Sequence, residues 1–310
     1  MKILLTSTSF QDTPGRHQSL LETQGFEITK LRGPLKESEL LDIIDQYDGI
    51  ICGDDDVSEQ VIAKGVNGRL RIISKYGIGL DKIDLKAAER LKIPVTNCPG
   101  VNQVTVAEHV FALLLSFVKN ILPEDKLIQN QQWERLIGSD IFGKTIGIIG
   151  LGNVGKEVAI RARAFGMKVI AFDKFRDDTF AEINQVTYCD IVEQLFKNSD
   201  IISLNSSLNA ESKEIINDKS LELLKKGVII INTARAALVN LHTILNGIHS
   251  NIISGYLTDV LEEEPMVKDH PFLGNSRILI TPHIGSRTYE NVVRQGIMAV
   301  ENLLKFLNKA

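Results

Sequence analysis

The chain contains few of the residues that mark specialised protein classes. Its 310 residues include 3 cysteines, 1 tryptophan and 8 prolines. The cysteines Cys52, Cys98 and Cys189 are widely spaced, which argues against a disulfide framework or a metal site. They indicate a reducing, cytoplasmic environment. A formal net charge of −4 offers no basic field for nucleic acid or an anionic membrane. No apolar run reaches the roughly 20 residues that a membrane span requires.

Short apolar runs alternate with helical patterns along the whole sequence. The first residues turn polar too soon for a secretory signal and predict a strand instead. Strand–helix alternation predicts parallel sheets that are covered on both faces. The predicted strands are 2–6, 26–31, 49–52, 71–75, 94–97, 145–149, 168–172, 200–204, 228–232, 253–257 and 278–281. The main predicted helices are 18–24, 37–46, 58–63, 85–90, 105–121, 156–164 and 288–309.

The predicted C-terminal helix has an apolar stripe that must pack against another element. We predict that it packs on the first α/β unit, so that the second unit is inserted into the first. Between the units, residues 122–142 show weak periodicity and include Trp133. This segment fits either an arm that grips a second subunit or a surface excursion, and the sequence does not decide between them.

Residues 145–173 read as a strand, a glycine turn, a helix and a second strand that ends in an acid. Gly150 permits the tight turn, Gly152 lets backbone approach a pyrophosphate, and Gly155 lets the helix pack close to the sheet. Asp173 follows the second strand, where a ribose 2′-hydroxyl would bind. This combination is typical of a dinucleotide-binding unit. The carboxylate favours NAD over NADP because it repels a 2′-phosphate.

Two further strand ends carry candidate catalytic groups, Arg235 and His283. The carboxyl ends of parallel strands form the ligand edge of such sheets. A guanidinium there suits bidentate binding of a carboxylate. A histidine whose ring is held by a carboxylate suits general acid/base work near neutral pH. The other histidines are interpreted as structural or surface groups: His17, His109, His242, His249 and His270.

Several motifs occur in a fixed order across essentially the whole chain. They are residues 77–81, 102–108, the glycine turn, 232–235, 259–265 and 281–283. Together they resemble the D-isomer-specific 2-hydroxyacid dehydrogenase family, most closely its phosphoglycerate dehydrogenase-like branch. The resemblance implies two doubly wound, parallel α/β domains and a homodimer. A Rossmann NAD-binding domain, residues 99–286, would be inserted into a flavodoxin-like substrate (catalytic) domain, residues 1–98 and 287–310.

By that resemblance, the protein is an NAD-dependent oxidoreductase that transfers hydride at carbon 2 of a small 2-hydroxy or 2-keto acid. Arg235 would bind the substrate carboxylate, His283 would exchange the proton, and Glu264 would partner His283. The implied NAD contacts are Ile78, Gly150, Gly152, Asn153, Val154, Gly155, Asp173, Ser206, Thr233, Ala234 and Asp259. The implied substrate contacts are Lys75, Gly77, Ile78, Gly79 and Arg235. No metal is implied.

The chain departs from the family pattern in ways that leave its substrate open. Ala236 and Asn240 replace a usual Gly and Asp. Residues 53–56 contain three acids where members that use phosphoglycerate tend to place an arginine. A hydroxypyruvate or glyoxylate reductase is therefore an alternative to a phosphoglycerate dehydrogenase. A second alternative is a non-catalytic, NAD(H)-sensing binding protein on the same fold.

Overall fold

The computed structural model describes residues 1–307 and contains two parallel sheets. The five strands of the first sheet are β1 (Lys2–Leu5), β2 (Glu27–Lys30), β3 (Gly49–Cys52), β4 (Ile72–Lys75) and β5 (Val95–Thr96). The seven strands of the second are β6 (Thr145–Ile149), β7 (Lys168–Phe172), β8 (Val186–Tyr188), β9 (Ile201–Leu204), β10 (Val228–Asn232), β11 (Ile253–Thr258) and β12 (Ile278–Ile280).

Helices lie between most of the consecutive strands of the described chain, the link from β11 to β12 being an exception. They are α1 (Thr8–Asp12), α2 (Arg16–Glu22), α3 (Glu37–Leu41), α4 (Glu59–Asn67), α5 (Leu85–Arg90), α6 (Gln103–Val118), α7 (Ile121–Gln129), α8 (Asn153–Ala164), α9 (Asp178–Asn184), α10 (Val192–Asn198), α11 (Asp218–Leu221), α12 (Leu241–His249) and α13 (Tyr289–Leu307). Several begin at side-chain caps, such as Ser58 before α4 and Asp84 before α5. These side chains accept hydrogen bonds from first-turn amides, which have no partner inside the helix.

Every strand pair in both sheets is parallel. The first sheet has the order β2-β1-β3-β4-β5, which is the flavodoxin-like arrangement. The second has the order β12-β11-β10-β9-β6-β7-β8, which is the Rossmann arrangement with one added strand. The predicted fold class, with two doubly wound parallel sheets, is confirmed.

The chain divides into two compact units. The first consists of Met1–Asn102 and the segment that begins at Arg287, and the second is Gln103–Ser286. The predicted boundary lies between residues 98 and 99, whereas the second unit begins at Gln103, the first residue of α6. The assignment of the first unit to substrate and of the second to cofactor remains a prediction at this point.

Helix α13 packs inside the first unit, against α2, β3 and β4. Its residues Val292, Val300 and Leu303 are buried with Ile3 and Leu5 of β1. The predicted packing of the C-terminal stripe is therefore confirmed. The predicted end of this helix, at Lys309, lies outside the described residues.

In the second unit, two apolar clusters cover the sheet. One contains Leu113 and Leu114 of α6 together with Val158 of α8, and the other contains Ile244 and Ile248 of α12. Burial of α6 explains why its apolar residues are so numerous. Among residues 1–307, no single helix has the length and apolar character to span a membrane. Of the helices in this range, only α6 and α7 taken together, a bent pair, have the length and composition of a span.

A few elements differ from the sequence predictions. The strand β8 was missed, and the predicted helix 37–46 is a short α-helix followed by a 3-10 turn, Ile44–Gln46. Helix α8 begins at Asn153 rather than Lys156, directly after the glycine turn. The segment with weak periodicity forms α7 and then an irregular stretch up to β6.

Candidate active site

Three adjacent strands of the second unit carry the predicted catalytic residues. Strand β11 pairs with β10 on one side and with β12 on the other. Arg235 follows β10, Glu264 follows β11, and His283 follows β12. All three therefore come after the carboxyl ends of neighbouring strands, where α/β sheets bind ligands.

The structure brings Glu264 and His283 into direct contact. Nδ1 of His283 lies 2.7 Å from Oε2 of Glu264, and the two side chains are 38% and 37% exposed. The backbone N–H of Leu261 donates to the other carboxylate oxygen of Glu264, at 3.0 Å. The carboxylate is thus held on one side by backbone and on the other by the ring. Such a pair orients an imidazole and stabilises its protonated form.

Arg235 lies in a turn that the buried side chain of Asn232 organises. The Oδ1 atom of Asn232 accepts the N–H of Ala234 at 3.1 Å, and its Nδ2 donates to the carbonyl of Arg235 at 2.8 Å. Nη1 of Arg235 donates to the carbonyl of Ala234 at 2.7 Å. The strand end and the backbone of the predicted carboxylate-binding residue are therefore fixed. The contact of Arg235 with a substrate remains a prediction.

The carboxylate of Asp259 is 2% exposed and holds the turn that carries His283. It accepts the hydroxyl of Thr281 at 2.5 Å and the N–H groups of Ile284 and Gly285 at 2.9 and 2.7 Å. Burial alone would raise the pKa of Asp259, but hydrogen bonds from His109, Thr281 and the two amides hold the pKa below its ordinary value. The predicted contact of Asp259 with the nicotinamide remains a prediction.

The glycine turn has the shape that a dinucleotide requires. A Cβ added to Gly150 would lie 2.6 Å from the backbone nitrogen of Ser206, and one added to Gly155 would lie 2.1 Å from the carbonyl oxygen of Gly150. Gly150 also has a φ of +90°. By contrast, a Cβ at Gly152 would meet no atom within 4 Å. Two glycines are therefore required by packing, and Gly152 borders open space for a pyrophosphate.

The groups around this turn also fit a nucleotide. Asn153 and Val154 begin α8, where first-turn amides face outward from the helix and attract phosphate. Asp173 accepts the N–H of Leu151 at 2.7 Å and the N–H of Phe175 at 2.8 Å. It is therefore fixed beside the glycine turn.

The two cations that follow Asp173 are both paired with acids. Lys174 forms an ion pair with Glu211, and Arg176 pairs with Asp190 at 2.8 Å. Neither adds unbalanced positive charge for a 2′-phosphate. The charges of this loop are consistent with a preference for NAD.

Two buried hydroxyls stand after the carboxyl ends of β9 and β10. Within residues 1–307, Oγ of Ser206 and Oγ1 of Thr233 are buried without a hydrogen-bond partner. Buried polar atoms almost always have partners in folded proteins, so an exception calls for an explanation. A bound dinucleotide would supply partners for both, and the residues present therefore fit NAD.

The remaining predicted ligand contacts lie in the first unit, around the end of β4. Nζ of Lys75 donates to the carbonyl of Gly53 and lies 2.6 Å from Oδ1 of Asp54. Gly77 has a φ of +147°, and Ile78 is 38% exposed. Gly79 follows in the same loop. Their roles in binding cofactor and substrate remain predictions.

Comparisons with known proteins match this geometry. A profile described as the NAD binding domain of D-isomer specific 2-hydroxyacid dehydrogenase matches residues 111–285. A hydroxypyruvate reductase from Thermotoga maritima is 37% identical over 295 residues, which cover 94% of each chain. The chain belongs to the D-isomer specific 2-hydroxyacid dehydrogenase family. The predicted family is thus confirmed.

Other members of the family cover the chain in different ways. A D-3-phosphoglycerate dehydrogenase from Bacillus subtilis is 32% identical, and the match covers 93% of this chain but 54% of that protein. The structure of a D-lactate dehydrogenase from Aquifex aeolicus, complexed with NAD and lactic acid, has a TM-score of 0.86 at 27% identity. That match covers 99% of this chain and 96% of the other. These relatives support the predicted enzyme class and the NAD cofactor.

Two departures from the family pattern have simple structural explanations. Ala236 begins a 3-10 turn, Ala236–Leu238, whose right-handed backbone an alanine adopts without strain. Asn240 caps helix α12 by accepting the N–H of Thr243 at 3.1 Å, and asparagine and aspartate are equally good caps. Neither substitution disturbs the residues of the site.

Three polar residues of this region were not assigned a role from the sequence. They are His109, Asn232 and Thr281, which hold the backbone near the predicted catalytic groups. His109 was interpreted as structural or surface. A signal was present for it, because it is a titratable residue within the apolar pattern of α6.

Proposed function

We propose that the protein is an NAD-dependent reductase of small, unphosphorylated 2-keto acids of the hydroxypyruvate or glyoxylate type, and oxidises the corresponding 2-hydroxy acids in reverse. The contact between His283 and Glu264, at 2.7 Å, is the observation that carries this proposal. A histidine held by a carboxylate at a sheet's ligand edge is suited to proton exchange with the oxygen on carbon 2. Membership of the family supports the rest of the reaction.

The protein residues supply the proton and the position of the substrate. Because Nδ1 of His283 is bonded to Glu264, Nε2 is the atom that donates a proton to the 2-oxygen during reduction. Glu264 stabilises the imidazolium before that transfer. The guanidinium of Arg235 binds the substrate carboxylate in a fixed orientation. Bound NADH supplies the hydride.

The charges in the first unit favour a substrate without phosphate. The ammonium of Lys75 is 4% exposed and is balanced by Asp54 at 2.6 Å. The adjacent Asp55 and Asp56 add two further acids. This loop therefore has no surplus positive charge for a phosphate dianion. The similarity to a hydroxypyruvate reductase over 94% of both chains supports the same conclusion.

A substrate panel tests the proposal. NADH oxidation, followed by fluorescence, is measured with hydroxypyruvate, glyoxylate and 3-phosphohydroxypyruvate. We expect turnover of an unphosphorylated acid with a kcat/KM at least about tenfold above that of the phosphorylated one. A preference for 3-phosphohydroxypyruvate would contradict the substrate assignment. Tight NADH binding without turnover of any acid would contradict the catalytic function and support the NAD(H) sensor.

We also propose that the protein is a cytoplasmic homodimer. Its three cysteines are free and buried, which supports a reducing compartment. The segment 121–142 exposes large apolar side chains: Ile121, Leu122, Ile128, Trp133, Leu136, Ile137 and Phe142. Clustered exposed apolar residues mark interaction surfaces. We interpret this segment as the arm that a second copy covers.

The oligomeric state tests this interpretation. Ile137, which is 97% exposed, is replaced by Asp, and sedimentation velocity measures the mass. We expect a dimer for the wild type and dissociation for Ile137→Asp, because a buried charge in an apolar interface is unfavourable. Phe175→Asp is the matched control, because Phe175 lies outside this segment and is 89% exposed. A wild-type monomer would refute the dimer.

A further inference from the structure

A chain of three polar side chains joins α6 to the turn that carries His283. Nε2 of His109 lies 2.9 Å from Oγ1 of Thr281, which lies 2.5 Å from Oδ1 of Asp259. His109 is also 3.4 Å from the same carboxylate oxygen. The side chain of His109 is 16% exposed and that of Asp259 is 2% exposed. These bonds are therefore largely shielded from water.

The direction of each hydrogen bond in this chain can be deduced. Asp259 is ionised near neutral pH, because the neighbouring His109 ring, the hydroxyl of Thr281 and two amides outweigh the effect of burial and keep the pKa of Asp259 below its ordinary value. A carboxylate only accepts, so the single hydroxyl proton of Thr281 is donated to Asp259. The hydroxyl oxygen must then accept from Nε2 of His109. This requirement fixes the tautomer or charge state of His109 as one that carries a proton on Nε2.

Thr281 and Asp259 also hold the backbone on both sides of His283 by hydrogen bonds. The carbonyl of Thr281 accepts the N–H of His283 at 3.0 Å. Beyond His283, Asp259 accepts the N–H groups of Ile284 and Gly285. His283 itself has a φ of +52°, which is unfavourable for a residue with a side chain. Such conformations persist where the surrounding contacts enforce them.

Asp259 and His109 lie close to the backbone of the turn that carries His283. A Cβ added to Gly285 would lie 2.8 Å from Oδ2 of Asp259 and 3.4 Å from Cδ2 of His109. His109 and Asp259 therefore both pack directly against the turn. A shift of either side chain would be transmitted to the backbone next to His283.

We propose that His109 is a positioning residue for His283. By donating to Thr281, it holds the hydroxyl and the carboxylate of Asp259 in the arrangement that keeps the turn, and hence the imidazole of His283, in its working orientation. The inference rests on the proposed function because it requires His283 to be the proton donor. His109 itself does not contact the substrate in this proposal.

Two substitutions of His109 separate hydrogen bonding from packing. His109→Phe keeps a ring but removes the donor, and His109→Gln places an amide donor close to the position of Nε2. We expect kcat for the preferred keto acid to fall by about 10- to 100-fold in His109→Phe, because small misplacements of a catalytic group are costly. We expect His109→Gln to recover most of that loss. NADH affinity, measured by fluorescence, should stay close to that of the wild type in both.

The link through Thr281 is tested in parallel, and it also serves if His109→Phe fails to fold. Thr281→Val removes the hydroxyl and should lower kcat, whereas Thr281→Ser retains the hydroxyl and should not. In the double variant His109→Phe/Thr281→Val, the loss should be no greater than that of the larger single loss, because both remove one connection. Additive losses of kcat in the double variant would contradict the proposed hydrogen-bonded connection from His109 through Thr281 to Asp259.

The outcomes distinguish this inference from the proposed function. An unchanged kcat in His109→Phe, even with a lower melting temperature, would show that His109 is only structural. Equal losses in His109→Gln and His109→Phe would refute the donor role. His283→Ala is measured alongside. If His283→Ala keeps its activity, the proposed function fails, whereas an inactive His283→Ala beside a fully active His109→Phe overturns this inference alone.

Discussion

The carboxyl edges of the two sheets use their charged residues in different ways. In the second unit, the carboxylates of Asp259 and Glu264 both accept hydrogen bonds from the turn that carries His283. In the first unit, Asp54 and Lys75 neutralise each other. The same parallel architecture therefore orients an ionisable group at one edge and balances charge at the other. We propose on this basis that the second unit performs the chemistry and the first selects the substrate.

The largest effect is expected where the second unit loses its ionisable group. His283→Ala should lower kcat by about 10²- to 10⁴-fold, because the substitution removes the proposed proton donor. NADH affinity should change little, since His283 lies outside the glycine turn. Stopped-flow reduction of the preferred keto acid measures kcat, and fluorescence titration measures the affinity for NADH.

His249→Ala is the control for that substitution, because His249 is an exposed histidine of the same unit. It should behave like the wild type. Comparable activity in His283→Ala and His249→Ala would mean that the pair with Glu264 has no role in catalysis.

A smaller effect is expected at the cofactor end of the second unit. Asp173→Ala should weaken NADH binding by about tenfold and reduce the preference for NADH over NADPH, because hydrogen bonds to a charged group are among the stronger ones. Binding of both cofactors is measured by fluorescence. Asp178→Ala, which removes an exposed acid nearby, is the matched control. An unaltered cofactor preference in Asp173→Ala would show that Asp173 does not bind the ribose.

The proposed role of the first unit in substrate selection predicts a modest change in kcat/KM. Asp54→Asn removes one negative charge beside Lys75 and should raise kcat/KM for 3-phosphohydroxypyruvate relative to hydroxypyruvate, by roughly three- to tenfold. Asp42→Asn changes an exposed acid elsewhere in the unit and should leave the ratio unchanged. The selective role would be ruled out by an equal ratio in Asp54→Asn and the wild type.

The smallest effect concerns the histidine buried in the first unit. Burial lowers the pKa of His17, although a hydrogen bond to the carbonyl of Phe10 opposes this. The unfolded chain therefore takes up a proton below about pH 6.5, where the folded chain resists it. The free energy of unfolding should fall as the pH drops through this range and level off below the folded pKa.

Urea unfolding at pH 7.5 and pH 5.5 measures that loss, with His17→Gln as the reference. The variant should show a weaker dependence on pH, because a neutral amide does not titrate. An identical decline in both proteins would assign the effect to other groups.

Most of the fold could be predicted because its signals are local and repeated. Apolar runs marked nearly all strands, and the stripe on α13 indicated the surface on which it packs. Strand β8 was missed because it is only Val186–Tyr188, at the edge of the sheet, with Thr187 exposed. Such a short strand has no distinctive apolar run.

The site was less accessible from the sequence. The end of β12 indicated His283, but nothing in the run of acids at residues 262–264 distinguished Glu264 as its partner, and the family resemblance made that choice. The contact between His109 and Thr281 joins residues 172 positions apart. No local pattern reports such a contact, because the packing of α6 on the sheet creates it.

A crystal structure of the protein with NADH and oxamate, an inert analogue of a 2-keto acid, would show whether His283 and Arg235 act on one substrate. We expect the oxygen on carbon 2 of oxamate within about 3 Å of Nε2 of His283, and its carboxylate bound by the guanidinium of Arg235. A complex in which the imidazole of His283 or the guanidinium of Arg235 points away from oxamate would contradict the role assigned to that residue.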